Sequence, residues 1–342
     1  MKQVKVKQGT LAWEKARQSR IGGSEVFDIV RYYATDEELQ NCGINAEDFK
    51  AEKPYTTAWA LYHKVLGDGL YHREALAPEF AEYGHAVEPY GVYVMNCNRN
   101  KKLKAGPVYA DERLIASLDA EGFAEECDIL PFDYGNGKPK VGQRFAMEQK
   151  SMMPNMVKRG VPFKYIVQAQ YQIQCVKAHY FILQIMVLDE DTPFIRGKVC
   201  QMSRKARYEY LDKHLVVKNL YFSNNEHLGR LIEVCLDRFF SDVKNKNEPT
   251  PFIEYDSIKN IIESIRLNSA FDKDAVVECE SELEDYIQNK SLEESYSYAR
   301  KQGLQNIIGL AMKNNACKFK AADGTTAFFD KAGRFHAKEN EQ

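Results

Sequence analysis

The sequence predicts an α/β fold with a helical C-terminal extension that ends in a small β meander. Three observations point there. Between 111 and about 250, short apolar or alternating runs are followed by segments with a helical repeat. Before 111, apolar residues recur mainly at helical spacing. After 251 the segments are charged with a narrow apolar stripe, then give way to alternation around Asp-Gly and Ala-Gly turns. The division expected is a domain over 1–250 and an arm over 251–342 that serves interaction or oligomerisation, with NEPTP as the boundary.

Taken in order, LAWEKARQSR is an amphipathic stretch, and IGGSEV is a small-residue turn that opens a helix over EVFDIV, with Ser24 as its cap. The first-turn amides of that helix would face an anion beyond the turn. TTAWALYHKVLG and APEFAEYGHAVEPYGVYVMNCN repeat as helices. RLIASL is strand-like and closes on Asp119. KVGQRFAMEQKSM alternates, with Phe145 and Met147 on one face and Glu148 and Lys150 on the other. PFDYGNGKPK between them has the composition of a hairpin loop. VPFKYIVQAQYQIQCVKAH reads as a helix, YFILQIMVL as a buried strand, and HLGRLIEVCLDRFFSDVKN as a second amphipathic helix. SIKNIIESIRL, SELEDYIQNK and SLEESYSYARKQGLQNIIGLAMKN are the helices of the arm, and CKFKAADGTTAFFDKAGRFHAK is the meander.

Bulk properties narrow the function. The 342 residues are 44% hydrophobic and 28% charged, an ordinary globular composition. A formal net charge of −2 provides no overall basic field, though a local basic groove is compatible with it. No apolar run reaches the length of a membrane span, and MKQVKVKQGT lacks the apolar core of a signal peptide, so a cytoplasmic protein with no membrane partner is expected. The eight cysteines lie no closer than 25 positions apart, which excludes CxxC zinc or iron–sulfur spacing. His63, His85 and His179 have no zinc spacing and read as structural or surface residues.

Chemistry gathers around Glu148-Gln149-Lys150. In a strand, positions i and i+2 point the same way, so this carboxylate and ammonium share one site. Asp119 closes the strand-like run upstream, and Glu88 supplies a third acid from the helix YGHAVEPYG. Hard oxygen ligands of this kind suit Mg²⁺ or Mn²⁺, and a pair of such ions can activate a water against a phosphodiester. The lysine can hold the water or neutralise developing charge.

Four blocks then carry a family resemblance: Trp13 and Arg17 followed by IGGSEV; Tyr83-Gly84 with Glu88-Pro89; Ser117-Leu118-Asp119; and Glu148-Gln149-Lys150 followed by Pro162, Tyr165, Gln168, Gln170 and Tyr171. In this order, spanning 13 to 171, they resemble the PD-(D/E)xK nuclease superfamily, and within it the lambda-exonuclease-like (YqaJ-type) viral recombinase family. Leu118 stands where the superfamily commonly has proline, and Ala120 where the family has glycine. The resemblance implies a restriction-endonuclease-like core, with a central mixed sheet carrying Asp119 and Glu148–Lys150 between flanking helices. It implies Asp119, Glu148, Glu88 and the Gln149 carbonyl as ligands of two Mg²⁺ ions, Mn²⁺ substituting. Lys150 would act on the attacking water, and Gln168 on the scissile phosphate or the lysine. Gln170 is the rival glutamine, and helical spacing allows only one of the two to reach the site. Arg17, Ser24 and Ser117 would grip a terminal 5′-phosphate, while Trp13 reads as packing.

The activity so implied is 5′ to 3′ digestion of linear double-stranded DNA from its ends. It leaves 3′ single-stranded tails for recombination by a single-strand annealing protein, in a ring-shaped homotrimer of phage or prophage origin within a bacterial host. Two rivals stand beside it: an endonuclease or single-strand nuclease with the same metal site, which would not require the phosphate pocket, and a catalytically silent DNA-end binding protein, which would be expected to have lost one of the four acidic and basic residues.

Overall fold

The computed structural model describes residues 1–71, 78–153, 160–268, 270–279, 282–283, 286, 297–321, 325–330 and 333–338. They form two compact units, one of 1–55 with 74–241 and the other of 56–73 with 242–342. The strands in chain order are β1 (Lys2–Val4), β2 (Ile21–Gly22), β3 (Lys104–Ala105), β4 (Val108–Ala110), β5 (Leu114–Ser117), β6 (Ala120–Phe123), β7 (Arg144–Ser151), β8 (Tyr180–Leu188), β9 (Leu215–Ser223), β10 (Val276–Glu278), β11 (Lys318–Lys320), β12 (Thr326–Phe329) and β13 (Phe335–Lys338).

The first unit holds two mixed sheets, in the orders β1-β4-β5-β2 and β3-β6-β7-β8-β9. The fold class expected from the sequence, mixed sheet flanked by helices, is the one observed. β7 and β8 are parallel, and the helix Phe163–Val176 is the crossover that parallel pairing demands. β8 is an unbroken apolar run because it is the inner strand between β7 and β9, and nearly all its residues are buried. Phe145 and Met147 of β7 join Met95, Ala120, Tyr180 and Ile182 in one cluster. Tyr83, Val87 and Tyr90 pack on Met186 and Leu188 in another. Both clusters place the long helix Pro78–Cys97 across one face of this sheet.

Several elements escaped the sequence reading. The run that closes on Asp119 is β5, and a strand of a different sheet, β6, follows it, with Leu118-Asp119 as the passage between them. The hairpin loop expected at 131–140 joins β6 to β7, but its Asp133 and Tyr134 amides also bond to the Tyr221 carbonyl, so it extends the sheet at β9. β9 itself and the helices Asp36–Asn41, Ala46–Ala51, Pro193–Gln201 and Arg204–His214 were not anticipated. The helix after IGGSEV starts at Val26, and its cap position is Glu25 with no side-chain bond, so Ser24 is not its cap.

The second unit has its own core rather than the narrow seam of a helical arm. Trp59, Ile261, Ile262, Ile265, Ile307 and Phe319 are among its buried residues, drawn from the helices Ala58–Leu66, Ile258–Leu267 and Ser297–Asn314 and the sheet β10-β11-β12-β13. β11, β12 and β13 form the expected antiparallel meander, and β10 adds to it in parallel. The Asp-Gly turn of the meander and most of SELEDYIQNK lie outside the described residues.

A buried polar knot ties the 56–73 segment into this unit. His63 is 3% exposed, and its Nδ1 lies 2.6 Å from Asp68 Oδ2 and its Nε2 3.0 Å from Glu248 Oε1. Trp59 Nε1 and Ser264 Oγ donate to the same Glu248 oxygen at 2.6 Å. Burial opposes a charged ring, but the bonds to Glu248 and Asp68 outweigh it and raise the His63 pKa. Burial likewise opposes a charged Glu248, but the bonds from His63, Ser264 and Trp59 hold its carboxyl below the usual range. A raised histidine pKa contributes stability that is complete below its unfolded value of about 6.5 and lost as pH rises through the folded value. The depressed Glu248 contributes stability present above its unfolded value and lost as pH falls through the folded one. Burial pushes Asp256 of the same unit up to about 6, against the bond from Thr57, so its contribution is lost as pH rises toward that value. His63→Gln is therefore expected to destabilise the full chain more at about pH 6 than at about pH 9, by the order of 1.5–3 kcal/mol at the lower pH, and to lower the thermal midpoint accordingly. Circular-dichroism melts of both proteins at the two pH values check this, and equal losses would refute a charged His63.

Candidate active site

The site forms where the chain changes sheets. β6 pairs with β7 only as far as Ala120 opposite Met147. The Asp119 amide still donates to the Met147 carbonyl at 3.1 Å, but the Leu118 amide turns to the Pro107 carbonyl. The Gln149 N–H, which a longer β6 would have met, instead donates to Asp119 Oδ2 at 2.7 Å. Asp119 is thereby fixed beside Glu148. Among the described residues no donor bonds its second oxygen.

Glu148 is buried and held at both ends. Lys150 Nζ donates to Oε1 at 2.7 Å, and Gln172 Nε2 donates to Oε2 at 3.2 Å. Lys150 also stands 5.4 Å from the ring centre of Tyr165. Burial, then the charges of Glu148 and Glu88, push the Asp119 carboxyl well above the usual carboxylate range, against the pull of Lys150 and the Gln149 amide. Burial works against a charged Lys150, but Glu148, Tyr165 and Asp119 outweigh it and raise the lysine pKa. The site therefore holds more negative charge than its lysine balances.

Glu88 reaches this region from the Pro78–Cys97 helix, 40% exposed and with His85 Nδ1 at 3.6 Å. The helix lies close to the sheet because of Gly91. A Cβ there would sit 2.0 Å from Gln149 Nε2 and 2.1 Å from Gln184 Oε1. Those two atoms bond each other at 2.7 Å, and Gln184 Nε2 continues to Asn219 Oδ1 at 3.1 Å. A buried row of amides thus crosses β7, β8 and β9 beneath the helix.

The crossover helix supplies the other side. Its Tyr171 hydroxyl lies 3.1 Å from the Ile21 carbonyl and 3.2 Å from that of Ile115, clamping β2 and β5. Gln172 Nε2 is 3.3 Å from the Ser117 carbonyl as well as 3.2 Å from Glu148. Gln168, one turn earlier on the same face, packs on Gly23, where a Cβ would meet its Cγ at 3.3 Å and Gln172 Nε2 at 3.2 Å. Gln170 points elsewhere, donating to the Ser223 carbonyl and accepting from the Asn225 amide. Among Gln168, Gln170 and Gln172, only Gln172 bonds Glu148. The sequence reading passed over it, although its i+4 relation to Gln168 was available.

The residues expected to hold a phosphate lie along the same contacts. Trp13 Nε1 donates to Ser117 Oγ at 2.9 Å, and the Arg17 guanidinium stacks over the Trp13 ring at 4.7 Å. Trp13 is thus partly buried and joins Arg17 to Ser117 rather than only packing. Arg17 lies 3.8 Å from Glu25, a buried acid whose Oε2 accepts the Gly22 amide at 2.8 Å. The Ser24 hydroxyl makes no hydrogen bond among the described residues.

Among the described residues no three His, Cys, Asp or Glu side chains are gathered closely enough to share one ion. The donor set still fits Mg²⁺, which keeps several waters and is commonly held by one or two carboxylates together with substrate phosphate oxygens. Asp119 and Glu148 supply those carboxylates, and the excess negative charge around Asp119 favours a cation.

No family model and no curated protein matches this chain. Solved structures do. An alkaline exonuclease from Laribacter hongkongensis aligns at 15% identity over 69% of this chain and 94% of its own, with a TM-score of 0.40. A phage-related exonuclease from Haemophilus somnus 129PT aligns at 8% identity over 68% and 99%, with a TM-score of 0.40. The chain is similar to these exonucleases. A likeness at this level does not say which side chains do chemistry, so the functional reading rests on the site itself. No helix among the described residues is long and apolar enough to cross a membrane.

Gly91 supplies a test of how the helix is held against the sheet. Gly91→Ala is expected to cost about 1–3 kcal/mol by parting the buried Gln149–Gln184 pair. Gly84→Ala, with nothing within 4 Å of its added carbon, is expected to stabilise by up to about 1 kcal/mol through helix propensity. Chemical denaturation of the two variants measures both, and equal effects would show that the close approach at Gly91 is not restrictive.

Proposed function

We propose that this chain is a Mg²⁺-dependent deoxyribonuclease that digests linear double-stranded DNA from its 5′ ends. The observation that carries the reading is one run of contacts. It passes from Arg17 through Trp13 to Ser117, and from Ser117 through Gln172 to Glu148 and Lys150, with Asp119 held by the Gln149 amide between those two. A guanidinium and a hydroxyl suited to a terminal phosphate therefore adjoin a carboxylate pair and lysine suited to phosphodiester hydrolysis.

Asp119 and Glu148, with the Gln149 carbonyl, would hold the metal, and Glu88 would act on it through bound water. Bound Mg²⁺, with Mn²⁺ as a substitute, supplies a more acidic water and neutralises charge on the phosphate. Lys150 carries an ammonium into the same site, where it orients the attacking water or offsets charge building on the phosphate oxygens. Gln172 keeps Glu148 in place through Oε2 and thereby positions a ligand rather than touching substrate. Arg17, Ser117 and Ser24 would seat the 5′-phosphate, which sets both the requirement for an end and the direction of travel. The 3′ tails left behind would suit a single-strand annealing partner. A ring of three copies, as the resemblance implies, would keep the enzyme on its strand.

Asp119→Asn and Lys150→Ala are expected to lower cutting of a linear duplex in Mg²⁺ on the order of 10²–10³-fold or more. Asparagine retains an acceptor for the Gln149 amide, so its fold should persist. Cutting at the parental rate by either variant would remove these residues from the chemistry. The assay is release of label from duplexes marked at the 5′ or the 3′ end, and attack on closed circles would instead favour an endonuclease. Arg17→Ala is expected to reduce the preference for 5′-phosphorylated over 5′-hydroxyl ends by about tenfold or more, the value of a charged hydrogen bond. An unchanged preference would place the phosphate seat elsewhere.

A further inference from the structure

The strand register sets a second lysine in line with Lys150. Lys150 of β7 pairs with Ile185 of β8, and Ile185 pairs with Lys218 of β9. Residues paired across adjacent strands project from the same face. Lys150 and Lys218 therefore rise from one face of the sheet, with roots two strand spacings, about 10 Å, apart. The same register puts Glu148 in line with Leu183 and Leu220.

Beside Lys218 the surface is hollow. A cavity of about 300 Å³ is lined by Met152, Val161, Ile185, Leu220, Tyr134 and Lys218. Asp133 also lines it, but its Oδ2 is occupied by the Tyr221 amide at 2.8 Å. Lys218 is exposed and makes no ion pair among the described residues. The fold does not use this cation for itself, and the hollow that it borders reaches back through Ile185 toward Lys150.

We infer that Lys218 and this cavity seat a nucleotide next to the scissile one on the strand being cut, the lysine holding its phosphate and the hollow taking its sugar and base. A nucleotide matches an ammonium beside a recess of mixed polar and apolar lining, and one joined to the scissile phosphate would lie on the same face as Lys150. Tyr134, whose ring stacks on Phe222 at 4.5 Å, gives the recess an aromatic wall, a surface that accepts any base. The inference rests on the nuclease reading of the Asp119–Glu148–Lys150 site and adds to it a seat for the neighbouring nucleotide.

The test is binding of a short fluorescein-labelled, 5′-phosphorylated single-stranded oligonucleotide to the full chain in Ca²⁺, followed by anisotropy between about 50 and 200 mM salt. Lys218→Gln is expected to weaken binding about fivefold and to flatten the plot of log affinity against log salt by about 0.7, the value of one lost phosphate contact on a single strand. Lys218→Arg should restore both. Lys218 is a surface residue, so neither change threatens the fold. Lys218→Gln binding with wild-type affinity and slope would overturn the seat, and if the wild-type chain meanwhile cuts duplex DNA in Mg²⁺, only the seat fails. Binding that depends on Lys218 in a chain that does not cut would keep Lys218 as a phosphate contact but overturn the nuclease reading and with it the place of the seat beside a scissile nucleotide. A wild-type chain that neither binds nor cuts would overturn both.

Discussion

The hydrogen bond from the Gln149 amide to the Asp119 carboxylate is the joint on which the site depends. It exists because β6 stops short. The chain enters from β5, which belongs to another sheet, and β6 pairs with β7 only as far as Met147. The next inward amide of β7 would be left buried and unpaired, at a cost of about 1–3 kcal/mol. Asp119 pairs it with a side chain instead of a backbone carbonyl. One carboxylate thus repairs the sheet and stands beside Glu148, and burial together with two acidic neighbours makes its charge costly.

The crossover helix organises everything on the other side of that joint. Its three glutamines divide by helical geometry into different tasks. Gln170 fastens the helix to the end of β9, Gln168 packs on Gly23, and Gln172 bonds Glu148. Tyr171 holds β2 and β5 together from the same helix. Ser117 and Glu148 are neighbours because this single helix touches both sheets. The glycines at 23 and 91 serve closeness rather than turn geometry. Each lets a helix come within reach of amide side chains that a methyl group would displace.

The second unit solves a different problem with similar means. Its 56–73 segment is distant in sequence from 242–342, and the knot of His63, Glu248, Trp59 and Ser264 joins them inside a largely apolar core. Such a knot is favourable only when every partner is present, which makes it specific as well as stabilising.

Local pattern was enough for the long elements. β7, β8 and the helices Phe163–Val176 and Glu226–Asn245 are legible because each carries its period over many residues, and β8 is apolar throughout because it is an inner strand. The pairing of Glu148 with Lys150 is legible for the same reason, since alternation in a strand is a local rule. β9, half exposed and rich in Val, Asn and Lys, gave no comparable signal, and the two-residue strands β2 and β3 are too short to show any period. Spacing also sorted Gln168 from Gln170 but could not name Gln172, because which turn of a helix meets a carboxylate depends on how deeply the helix is set. The passage of the chain between sheets at Leu118-Asp119 was likewise invisible, as sheet membership is decided by long-range hydrogen bonds. The sequence by itself determined the long periodic elements and the placing of Glu148 and Lys150 on one face of a strand. Only the tertiary structure decided which amide holds Glu148, that residues 56–73 belong with the C-terminal unit, and that Lys218 shares a face with Lys150, because each is a matter of register and packing between segments far apart in the chain.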